Sequence, residues 1–70
     1  MLTVEENLKN DLSGVYKNDL LDKFNQAASE VRSELNQGVS PDEYDKLNRF
    51  LQALEASCEV VEQVWTQAHQ

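Results

Sequence analysis

The side chains of this chain that could do chemistry are few: Cys58, His69 and the carboxylates Glu55, Glu59 and Glu62. Cys58 falls on an apolar seam, where a cysteine is expected to be a small buried hydrophobe rather than a reactive thiol. His69 stands beside the C-terminal residue and is expected to face solvent. Glu55, Glu59 and Glu62 share one helical surface that could attract a basic partner, but an ordinary solvated helix face accounts for them better. One cysteine forms no internal disulfide, and one cysteine with one histidine cannot close a structural zinc site. No nucleophile stands with a base, and no glycine-rich phosphate loop is present. The expectation is a protein that is not an enzyme and uses neither cofactor nor metal.

With no catalytic constellation, the informative features are the elements themselves. Seventy residues make one small domain, residues 1–70, which is marginally stable alone. Thirteen acidic against six basic residues give a formal charge of -7, which disfavours nucleic acid and anionic lipid at long range. Glu5 and Glu6 stand where a secretory signal would be basic, and no apolar run approaches the roughly 18 residues of a membrane span. A reducing, cytoplasmic home is expected.

Only two glycines and one proline interrupt the chain, so the fold class is all-α. The clearest punctuation is QGVSPDEY, residues 37–44. Gly38 can take the left-handed conformation that ends a helix. Ser40 can cap the next helix with Pro41 at its first position and Glu43 reaching back, while Val39 and Tyr44 occupy the places of a hydrophobic staple. So short a connection folds the helices back antiparallel. The product is a coiled-coil-like helical hairpin with a helix over about 15–37, a turn at 38–40 and a helix over 41–68.

The second helix carries Tyr44, Leu47, Leu51, Leu54, Cys58, Val61, Trp65 and Ala68 at alternating steps of three and four, a coiled-coil seam. The first repeats the rhythm at Leu21, Phe24, Ala28, Val31 and Leu35. Pairing the seams outward from the turn sets Leu35 near Tyr44, Ala28 near Leu51, Leu21 near Cys58 and Trp65 near Gly14. On that basis the first helix is expected to run through Gly14, straight or slightly kinked. Thr3 and Glu6 form a second capping-box candidate, so residues 3–12 either extend the first helix or make a separate short one. Asp19 with Lys23, Asp42 with Lys46 and Asp45 with Arg49 have the spacing of helix ion pairs.

The segment ALEASCEVVEQVW, residues 53–65, holds more apolar residues than one seam uses. The surplus lies on one flank. Together with the matching flank of the first helix it forms a strip of Tyr16, Leu20, Ala27, Phe50, Ala53, Val60 and Val64, the expected partner-binding surface. The other flank is polar: Asn18, Asn25 and Arg32 beside Asn48, Glu55 and Glu62. A different protein, a second copy of the chain in a four-helix bundle, or cover by Val4, Leu8 and Leu12 would each bury the strip.

The capped turn SPDEY, then QALEA at 52–56 and the pair Val60 and Val61, in an acidic hairpin of this length, resembles the YscE/PscE family of type III secretion co-chaperones. The resemblance is carried by the C-terminal half. It implies a bacterial, cytoplasmic, non-catalytic protein. Such a protein binds a tetratricopeptide-like chaperone and, through it, holds the secretion needle subunit monomeric before export. Two other readings of the hairpin are a needle-type filament subunit and a homodimeric scaffold or regulator.

Overall fold

A computed structural model describes residues 3–70 and contains three helices: α1 (Val4–Asn10), α2 (Val15–Gln37) and α3 (Pro41–Ala68). Helices α2 and α3 pack along each other as a hairpin, and α1 lies against the open end formed by the start of α2 and the end of α3. At 1.5 Å per residue the 28 residues of α3 span about 42 Å, which sets the long dimension of a molecule measuring 44 × 24 × 15 Å.

The turn is held by local chemistry. Ser40 Oγ accepts the amide of Glu43 at 3.2 Å and Pro41 opens α3, where its missing N–H has no intrahelical role. Gly38 closes α2 by donating its N–H to the Leu35 carbonyl, with φ +93° and an extended ψ of 124°. That backbone shape is a positive-φ exit rather than the left-handed helical cap. Val39 is half-buried while Tyr44 is 51 % exposed, so the staple is loose and the seam begins in earnest at Leu47.

The seam's register is visible in its polar flank. Arg32 Nη2 lies 3.6 Å from Glu55 Oε1, and the Cys58 thiol meets Asn25 Oδ1 at 3.9 Å. Of the described side chains only Leu8, Ala28, Val31 and Val61 are buried. A two-helix seam has no third layer, so Leu21, Phe24, Leu51 and Leu54 remain half-buried. Cys58 shares this intermediate burial, which corrects the expectation of a fully buried thiol.

Gly14 also departs from expectation. Helix α2 does not run through it: Gly14 takes the left-handed conformation, φ +83° and ψ 7°, and stands as the N-cap of α2. The register had placed Trp65 beside Gly14, and there it lies, with a Cβ added to Gly14 falling 3.7 Å from Trp65 Cζ2. Room for the indole is created by a chain reversal, so α1 is a separate helix. It starts with Thr3 Oγ1 accepting the Glu6 amide at 3.1 Å, and the same hydroxyl donates to the Glu6 carboxylate. Seven residues are too few to be helical alone, so α1 depends on burying Leu8.

Candidate interaction surface

Asp11 joins the three helices. Its N–H caps α1 by donating to the Leu8 carbonyl at 3.3 Å. Its carboxylate Oδ2 accepts the amide of Lys17 at 2.9 Å, supplying to α2 the cap that Gly14, lacking a side chain, cannot. Its carbonyl accepts the indole N–H of Trp65, from α3, at 2.9 Å. Loss of water raises the Asp11 pKa, but the amides of Lys17, Tyr16 and Gly14 and the Trp65 indole favour the charged form and outweigh it. The carboxyl therefore titrates below its ordinary range.

Trp65 is the anchor of this end. Lys17 Nζ sits 4.4 Å from its ring centroid, and the His69 ring lies 4.5 Å away at a tilt of 42°. His69 is half-buried, with Nε2 2.9 Å from the Leu8 carbonyl, which corrects the expectation of a solvent-facing ring. A carbonyl only accepts, so Nε2 carries the proton. The return of α1 across the helix ends is what engages a residue so near the C-terminus.

The seven strip residues occupy two environments. Tyr16 and Leu20 are half-buried and wall a groove of about 730 Å³ between α1 and α2, shared with Asn7, Asn10, Asp11, Val15, Asp19 and Lys23. Phe50 and Val60 lie outside that groove, 52 % and 55 % exposed. Ala53 is exposed, while Ala27 and Val64 are half-buried. Between Phe50 and Val64 the one hydroxyl, Ser57 Oγ, donates to the Ala53 carbonyl at 2.8 Å, so its donor is spent within the helix. Val4 and Leu12 do not cover the strip, being 52 % and 85 % exposed; only Leu8 of that trio is buried.

The expected ion pair of Asp19 with Lys23 closes at 3.2 Å, and Lys9 pairs with Glu5 at 3.4 Å. Among the described residues, Asp42 with Lys46 and Asp45 with Arg49 do not close. Nor do the described residues contain a group of three His, Cys, Asp or Glu side chains arranged to hold a metal. Among the described residues no helix is long and apolar enough to cross a membrane. Sequence reasoning missed Asp11, whose signal was an acid three residues before a glycine that opens a helix.

A comparison with curated proteins finds no match. A family model described as the cytoplasmic E component of the type III secretion system needle matches residues 1–67, beyond the C-terminal half that carried the resemblance. With an all-helical hairpin and a half-exposed apolar face to place beside that match, the chain belongs to the family of cytoplasmic E components of the type III secretion needle.

Proposed function

We propose that this chain is a small, non-catalytic cytoplasmic co-chaperone that binds and stabilises a tetratricopeptide-like chaperone and, through it, helps keep the needle subunit monomeric before export. The observation that carries the reading is the pair Phe50 and Val60, large apolar side chains left more than half exposed on one face of α3 in a needle-component family. Burying such surface is the main favourable term in association. A domain with four buried side chains among its described residues gains stability from a partner that covers more. Tyr16, Leu20, Ala27, Phe50, Ala53, Val60 and Val64 are the proposed contact surface, with Phe50 as an aromatic anchor on the α3 side at the end nearest the hairpin turn.

Co-expression with the chaperone of the same secretion system tests this. The variant carrying Phe50→Glu and Val60→Glu should keep its helical circular dichroism, because both positions face solvent, and should no longer co-purify. Co-purification at the wild-type yield would remove the strip from the interface. A wild-type chain that light scattering shows as a stable dimer, and that takes up no chaperone, would replace the proposal with the homodimeric reading.

A further inference from the structure

Helix α1 is fastened to the hairpin through one residue. Val4, Glu5, Glu6, Lys9 and Asn10 are exposed, and Asn7 is half-buried at the edge of the groove that separates α1 from α2. Leu8, 2 % exposed, is the most deeply buried side chain among the described residues. Its carbonyl accepts the Nε2–H of His69 at 2.9 Å, and among the described residues no other hydrogen bond or ion pair joins Val4–Asn10 to the hairpin. The Lys9 pair with Glu5 and the Thr3 cap are local to α1. Toward α2 there is a groove where a packed interface would be, with Asn7 and Asn10 on one side and Tyr16 and Leu20 on the other.

Immediately after α1 the chain is pinned. Asp11 is held by the Lys17 amide and the Trp65 indole, each at 2.9 Å, and both donors belong to the hairpin. Neither bond needs α1 to be in place. Leu12, 85 % exposed, adds no apolar anchor to the link, and Gly14 turns it into α2 at positive φ. A seven-residue helix has no stability of its own, so one leucine and one hydrogen bond must offset the entropy of ordering it. The hairpin, by contrast, is joined along a seam that runs from Leu47 to Trp65. The weak attachment and the strong one meet at Asp11.

We propose that α1 is a latch, which opens from Asp11 as a unit while α2 and α3 stay packed. Closing it builds the groove, because Asn7 and Asn10 supply the wall that faces Tyr16 and Leu20. Opening it removes that wall, leaves Tyr16 and Leu20 on an open face, and bares the site that Leu8 fills at the open end of the hairpin. The free chain thus has two forms that differ in exposed apolar surface, and the open form exposes more.

Native-state hydrogen exchange of the full chain at increasing low urea reads the latch directly. The amides of Leu8, Lys9 and Asn10 should exchange about tenfold or more faster than those of Val31 and Val61, and with little dependence on urea, because a local opening exposes little surface. Leu8→Ala should strip the remaining protection from α1, cost no more helical circular dichroism than seven residues carry, and leave the Val31 and Val61 amides protected. His69→Phe keeps a ring against Trp65 but removes the N–H, and should speed exchange in α1 about threefold or more. If the α1 amides share the rates and urea dependence of Val31 and Val61, the latch is overturned. Loss of protection along α2 and α3 in Leu8→Ala overturns it too, since α1 would then belong to one cooperative unit with the hairpin. Protection of α1 that survives both substitutions overturns the fastening through Leu8.

Discussion

Asp11 is the residue on which three helices depend, because its N–H, carboxylate and carbonyl each complete a different one. The sign of its pH effect follows from its lowered pKa. The folded state binds the Asp11 proton more weakly than the unfolded chain, so ionised Asp11 adds stability above the unfolded-state value and that addition is lost as pH falls through the folded one. The stability difference between wild type and Asp11→Ala, measured by urea melts, should hold constant from neutrality down to about pH 5 and shrink below about pH 4. A difference independent of pH would mean that the carboxylate is not the cap of α2. Trp65 meets the same residue from the other side. Trp65→Phe keeps a ring for Lys17 to cover but strips the Asp11 carbonyl of its donor, and should cost about 1–2 kcal/mol by the same melts. Neither role could be read from residue spacing, since the indole and the carbonyl are 54 positions apart and meet only because the chain reverses at Gly14.

Two glycines at positive φ delimit the elements, and they differ in kind. Gly14 at φ +83° and ψ 7° is left-handed helical, a shape asparagine tolerates, whereas Gly38 at φ +93° and ψ 124° lies in territory that only glycine visits readily. A Cβ at Gly14 would make ordinary contact with Trp65 and one at Gly38 would meet nothing, so the cost at both is conformational. Alanine at either position should destabilise by about 1–2 kcal/mol. Asparagine should recover most of that loss at Gly14 and little at Gly38, as thermal unfolding of the four variants would reveal. The hairpin was legible because its signals are local: a serine cap, a proline at the first helical position and apolar residues at steps of three and four. The break at Gly14 was not, because a glycine inside a helical rhythm fits either a kink or a cap. What decides between them is the Asp11 carboxylate and the indole waiting across the hairpin. The same gap hid His69, whose partner belongs to the helix created by that break.

At the scale of the molecule, a thin seam and an exposed face are two sides of one economy of apolar surface. Few side chains are buried on folding, and large ones such as Phe50, Val60 and Val15 are left out, so the isolated chain stands near the low end of domain stability. The strip could be placed from sequence because heptad positions assign flanks, but its occupant could not, since apolar surface does not specify what covers it. Linkage gives the consequence of occupancy a definite size. A partner that binds only the folded chain, present at about a hundred times its dissociation constant, adds about 2.7 kcal/mol. For a domain of this length that raises the melting temperature by about 10–20 °C. Circular dichroism melts with increasing chaperone should show this rise for the wild type and none for the variant carrying Phe50→Glu and Val60→Glu. The variant's own melting temperature should differ little from that of the wild-type chain alone, because its substitutions touch exposed positions. A rise of equal size in both chains would mean that the partner stabilises the hairpin from another face, and a rise in neither that these helices reach their full stability unaided.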